Sequence, residues 1–135
     1  MKKRIPLLTS NFASLVGGNG YFVDKTGFIS KLEELNFPNV FFLRPRRFGK
    51  SLTLSMLEHY YGIQHRARFD ELFGQYYIGM QENTTPLRNS YHILTFNFSG
   101  ISTDIQDEIR GKFDVEIRSA LMNFLYCYGI GEEGE

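Results

Sequence analysis

Leu43-Arg44-Pro45-Arg46-Arg47-Phe48-Gly49-Lys50-Ser51 is the stretch on which the reading of the chain turns. The apolar run Val40-Phe41-Phe42-Leu43 leads into it, and an amphipathic run from Leu52 to Tyr61 leads out. The order strand, polar turn, Gly-Lys-Ser, helix matches a phosphate-binding loop. In such a loop the backbone N–H groups at a helix start surround phosphate oxygens. The Lys reaches the β- and γ-phosphates, and the Ser hydroxyl ligates Mg²⁺. The usual pattern is G-x-x-x-x-G-K-[ST]. Here Arg44 stands at the position of the first Gly.

On this reading the cradle consists of Arg47, Phe48, Gly49, Lys50, Ser51 and Leu52, with Ser51 on Mg²⁺. Arg44 and Arg46 are auxiliary anion-binding residues or solvated loop charges; the sequence leaves both open. Gly-Lys-Ser also arises by chance in strand–turn–helix segments, so the flanking elements carry much of the argument.

Working outward, Tyr21-Phe22-Val23 reads as a short strand-like piece. A helix follows from Thr26 to Asn36, capped by Asp24 or Thr26, with Phe28, Ile29, Leu32 and Leu35 at helical spacing. Pro38 turns the chain. Val40–Leu43 suits a strand buried on both faces, and Gly62 stops the helix that starts at Gly49. Residues 5–20 are a leader of mixed character ending in a glycine-rich turn. A short helix is predicted over Ala67–Phe73. Tyr91–Phe98 reads as a second main strand. Ser102, Thr103 or Asp104 caps a long helix in which Ile105, Ile109, Phe113, Ile117, Leu121 and Leu125 recur every four residues, and Gly129 ends it. Strands alternating with helices predict an α/β fold with a parallel sheet flanked by helices. The expected organisation is an N-terminal extension and helix over 1–38, a P-loop α/β unit over 39–130, and an acidic tail over 131–135.

Composition sets limits. The 135 residues suit one domain or part of a larger one. Net charge is zero, but residues 1–68 hold eleven Lys/Arg against four Asp/Glu, and residues 69–135 hold four against eleven. The halves are therefore +7 and −7. Two solvated faces explain this, as does a basic half that holds an anion. The single cysteine, Cys127, excludes an internal disulfide framework and reads as a core or partly buried thiol. No apolar run approaches membrane-spanning length and no signal peptide is convincing, so a cytoplasmic protein without membrane contact is expected. His59, His65 and His92 have no metal-ligand spacing and read as surface or locally hydrogen-bonded groups. The many Phe and Tyr residues fall at core positions, which favours packing over base stacking.

Hydrolysis of a nucleotide needs an acidic residue that closes a buried strand and holds Mg²⁺ through water. Asp70-Glu71 and Asp107-Glu108 sit in helical patterns, and the strand at 91–98 ends in Asn97-Phe98-Ser99. No second acidic motif is present, so this stretch of chain is not expected to hydrolyse ATP alone.

Tyr21-Phe22-Val23-Asp24-Lys25-Thr26 and the Phe41–Ser51 string, joined by Leu72-Phe73-Gly74, Tyr77-Ile78-Gly79 and Asn97-Phe98-Ser99-Gly100, resemble the bacterial AAA-ATPase-like family from about Ile5 to Gly129. In that family the missing first Gly is a trait of the loop. The resemblance implies a partial P-loop NTPase core of the additional-strand type, with ATP and Mg²⁺ as cofactors and Lys50 and Ser51 in the phosphate and metal roles. It places Tyr21, Asp24, Lys25 and Thr26 on the adenine side. It also implies a longer protein with an acidic Walker B strand, often followed by a PD-(D/E)XK nuclease-like domain that meets nucleic acid. This chain reads as its N-terminal part. The rival reading is a non-enzymatic nucleic-acid or protein binding module that uses Arg44, Arg46 and Arg47; a third is an interaction domain with an incidental basic loop. An exposed sheet edge would invite oligomers.

Overall fold

The computed structural model describes residues 2–6, 9–45, 49–101, 104 and 106–131. The elements in order are α1 (Phe12–Gly17), α2 (Gly27–Leu35), α3 (Lys50–Tyr61), a 3-10 helix (Ile63–Arg68), α4 (Phe69–Phe73), a second 3-10 turn (Tyr77–Gly79) and α5 (Gln106–Tyr128). They form two compact units, residues 1–91 and 92–135.

The α/β expectation is not met. Among the described residues there is no sheet, only two isolated parallel bridges, Arg4 with Gly20 and Gly62 with Tyr91. Residues 40–45 form neither helix nor strand and join no ladder among the described residues, and Phe41 and Leu43 are 89% and 79% exposed. An apolar run signals a segment suited to burial; it does not supply the partner strand that a ladder needs. Residues 92–98 likewise form no strand and join no ladder. They lie along α5 through rings instead. His92 meets Tyr128 edge-on at 4.6 Å and Phe98 stacks on Phe113 at 5.3 Å, while Tyr128 Oη accepts from the Ile93 N–H at 2.7 Å. His92 and Tyr128 at one end, Phe98 and Phe113 at the other, show that the run is antiparallel to the helix.

The helices follow their expected bounds closely. Asn36, at φ 47°, closes α2 in the left-handed conformation that Asn tolerates. Gly62 ends α3 as predicted. The segment 63–73 divides into a 3-10 turn and a short α-helix. The leader contains α1, capped by Asn11, whose Oδ1 accepts from the Ser14 N–H at 2.9 Å. The expected caps Ser102 and Thr103, with Ile105 and the tail residues 132–135, lie outside the described residues. Cys127 is exposed rather than buried, because it lies on a face of α5 that nothing described covers.

The core of the first unit is aromatic. Phe12 stacks on Phe73 at 4.9 Å and meets Phe22 edge-on at 5.3 Å, while Tyr60 meets Phe73 edge-on at 5.5 Å. Ile29, Met56, Leu72 and Ile78 complete it. Aromatic pairs in these geometries add about 0.5–1.5 kcal/mol each beyond area burial. Gly79 is required by close approach: a Cβ there would lie 1.9 Å from the Phe73 carbonyl oxygen. A partly buried polar network joins α2, α3 and the loop after the second 3-10 turn. Glu33 Oε1 accepts from Tyr61 Oη (2.7 Å) and Thr85 Oγ1 (2.8 Å), and Tyr60 Oη lies 2.9 Å from Thr85 Oγ1. Burial, then the Glu33 carboxylate, holds the Tyr61 phenol well above its usual range.

Candidate functional site

The site forms at the start of α3. Gly49 takes φ 79° and ψ 25°, a left-handed conformation, and α3 begins at the next residue with no side-chain cap on its N-terminus. The Gly49 carbonyl accepts from both the backbone N–H and the Oγ1 of Thr53, each at 2.9 Å, which fixes the turn from the helix side. Lys50 and Ser51 are exposed. A helix start carries unsatisfied N–H groups and a partial positive charge, so an oxyanion is stabilised there. Arg46, Arg47 and Phe48 lie outside the described residues.

Two cavities flank this terminus. The smaller, about 370 Å³, is lined by Gly49, Leu52, Thr53 and Met56 of the loop and helix, and by Tyr21, Phe22, Val23 and Lys25 from the segment before α2. The larger, about 720 Å³, is lined by Asp24, Lys25, Phe28, Lys31, Phe42, Arg44, Met56 and Tyr77 among others. Lys25, Thr53 and Met56 border both. The fold thus brings Tyr21 and Lys25, distant in sequence, to the same cavity as Gly49. The volumes lie within the range of small-molecule sites.

The segment from Asp24 to Thr26 divides its labour. Thr26 is fully buried. Its hydroxyl donates to Asp24 Oδ1 at 2.6 Å and accepts from the Ile78 N–H at 3.2 Å. Asp24 also accepts from the Thr26 N–H (Oδ1, 2.9 Å) and the Tyr77 N–H (Oδ2, 2.8 Å). Burial pushes the Asp24 pKa up, but these hydrogen bonds outweigh it and hold the carboxyl below its usual value. Asp24 and Thr26 therefore clamp the Tyr77–Gly79 turn, while Lys25 between them remains exposed at the cavity edge. Arg44 folds back, with Nη1 donating to the Leu43 carbonyl at 2.9 Å and its guanidinium 5.3 Å from the Phe42 ring.

Thr53, Met56, Phe28, Phe42 and Tyr77 line the cavities, although the sequence assigns none of them to the site. For Thr53 and Met56 a signal exists: positions 49, 52, 53 and 56 fall on one helical face. Phe28, Phe42 and Tyr77 carry no such signal, because they reach the cavity from three separate segments. Among the described residues no group of His, Cys, Asp and Glu could hold a metal ion by itself, and no helix is long and apolar enough to cross a membrane.

A family model described as "Predicted AAA-ATPase" matches residues 6–132. The chain belongs to the AAA-ATPase-like family. A curated relative of this AAA-ATPase-like chain, described as an uncharacterized protein in the vnfD 5′ region of Azotobacter chroococcum mcd 1, is 38% identical over 78 residues. That match covers 51% of this chain and 15% of the relative's length. No solved structure matches.

Proposed function

We propose that this AAA-ATPase-like chain binds ATP with Mg²⁺ at the start of α3, through a variant Walker A loop over residues 44–52. The observation that carries the reading is Gly49. Its left-handed turn opens an uncapped helix N-terminus beside a cavity shared with Tyr21 and Lys25. The residues present fit the ligand. Lys50 supplies a point charge for the β- and γ-phosphates, Ser51 a hydroxyl for the metal, and the cavities apolar walls with a cationic rim. Bound Mg²⁺ would neutralise phosphate charge. Tyr21 and Lys25 stand on the base side, and Asp24 and Thr26 hold that segment in place rather than touching the nucleotide. Hydrolysis belongs, on this reading, to a longer protein that supplies a catalytic carboxylate, where ATP would act as a switch on a partner domain such as a nuclease.

Calorimetric titration with Mg·ATP tests this. The wild-type chain should bind, and Lys50→Ala should lose roughly tenfold or more in affinity, since a charge-assisted contact contributes about 1.5–3 kcal/mol. Equal binding by both forms, or none by either, refutes the assignment. Salt-dependent nucleic-acid binding that ignores ATP and survives Lys50→Ala would support the Arg44/Arg46/Arg47 module instead.

A further inference from the structure

A third cavity, about 800 Å³, shares no residue with the two beside α3. Arg66, Asp70, Gln81, Thr84 and Arg88 line it, with Thr85 and Pro86 beside them. We propose that it binds a phosphate ester that carries neighbouring hydroxyl groups, as in a sugar phosphate.

Both arginines are held from below. Arg66 Nη2 donates to the Asn89 carbonyl at 3.1 Å, and the Arg88 guanidinium lies 4.2 Å from the centre of the Phe69 ring. Asn89 is itself locked: it is buried, its N–H donates to the Tyr60 carbonyl at 2.8 Å, and its Nδ2 donates to the His59 and Gly62 carbonyls. The rim is equally committed. Thr84 Oγ1 donates to the Ile78 carbonyl at 2.8 Å, and Thr85 Oγ1 to Glu33 at 2.8 Å. The two guanidiniums therefore lose little rotamer freedom on binding.

Neither is ion-paired among the described residues. Arg68, on the same 3-10 helix, provides the contrast, because Glu71 takes it in a two-pronged bridge at 2.9 and 3.0 Å. Two guanidinium forks that no carboxylate bridges among the described residues suit a phosphate oxygen set. Asp70 narrows the ligand further. Its carboxylate lines the same cavity and only accepts hydrogen bonds, so it repels a bare polyanion and favours a ligand with a donor beside its phosphate. A ribose hydroxyl supplies that donor; the carboxylates of an acidic side chain do not.

The same chemistry comes from a free sugar phosphate or from an RNA backbone, whose 2′-hydroxyl is the donor beside each phosphate, and the test separates them. Fluorescence anisotropy of a labelled single-stranded RNA oligonucleotide would be measured on the whole chain, with ribose 5-phosphate, inorganic phosphate and poly-glutamate as competitors. Calorimetry would measure ribose 5-phosphate alone. Arg66→Gln combined with Arg88→Gln should weaken binding at least roughly tenfold and lower the salt slope for an oligonucleotide by about two. Lys2→Gln combined with Arg68→Gln, equal in charge, and Lys50→Ala should change it little. If the double variant does not fold, Asp70→Asn carries the test, because it should abolish the preference for ribose 5-phosphate over inorganic phosphate. Binding of the oligonucleotide assigns the site to an RNA backbone, and binding of ribose 5-phosphate alone assigns it to a free ester. No binding of any probe, binding indifferent to all these variants, or poly-glutamate competing as well as ribose 5-phosphate would overturn the proposal. The Lys50→Ala arm keeps this outcome distinct from that of the ATP site.

Discussion

Gly49→Ala isolates the backbone conformation on which the α3 site depends. An added Cβ would meet nothing within 4 Å, so no steric term arises from neighbours. The cost comes from φ 79° alone. An L-residue in that region costs about 1–2 kcal/mol. Alanine also restricts the unfolded chain, which returns about 0.4–1 kcal/mol. The net loss should therefore be about 1 kcal/mol, seen as a lower urea midpoint by circular dichroism with an unchanged slope. Gly49→Asn should recover much of it, since Asn tolerates this region, and Gly49→Val should lose more, since β-branched residues do not. The order Gly, Asn, Ala, Val in stability is the signature. If Ala equals the wild type while Asn is worse, the residue does not hold a positive φ in solution, and the turn that presents Lys50 and Ser51 is wrong.

Two further outcomes follow from buried groups elsewhere in the first unit. Burial, the neighbouring His59 ring stacked at 4.1 Å, and then Arg68 lower the His65 pKa from 6.5 to about 4. The folded state holds this ring neutral where the unfolded chain protonates it, so its contribution to stability is whole above pH 6.5 and is lost as pH falls from 6.5 towards 4. A shift of this size corresponds to no more than about 3 kcal/mol, and partial exposure reduces it to about 1–2 kcal/mol. Urea midpoints across that window should fall less in His65→Gln than in the wild type; parallel curves would refute the assignment. Glu33→Gln keeps the shape of the network but removes its charge, and should cost about 1–2 kcal/mol. Ultraviolet titration should then find the Tyr61 phenol ionising at lower pH, whereas an unmoved phenol would show that Glu33 does not face it.

The candidate site was legible in part. Gly49, Lys50 and Ser51 announce themselves by adjacency, and the helix after them by its periodicity. Tyr21 and Lys25 were placed near the nucleotide by resemblance, and the cavity they share with Gly49 is a tertiary fact. Asp24 and Thr26 are committed to each other and to the Tyr77–Gly79 turn. Residue type alone does not tell a ligand-facing hydroxyl from one committed to the Ile78 N–H. Arg66 and Arg88 went unremarked because they are separated in sequence and belong to no motif; only the Asn89 turn and the Phe69 ring place them on one cavity.

The sequence by itself determined α2, α3 and α5, because helical hydrogen bonds are local and the apolar spacing and end signals lie within each segment; it did not announce α1 in the leader. It also carried the family, through the string from Phe41 to Ser51 and its companion segments. Tertiary structure alone decided the fate of the apolar runs at 40–43 and 91–98. A strand is completed by a partner far along the chain, and no pattern within the run says whether one is there. The stretch 43–51 illustrates both halves. Its Gly-Lys-Ser and the helix that follows are readable in order, while residues 43–45 before them join no ladder among the described residues.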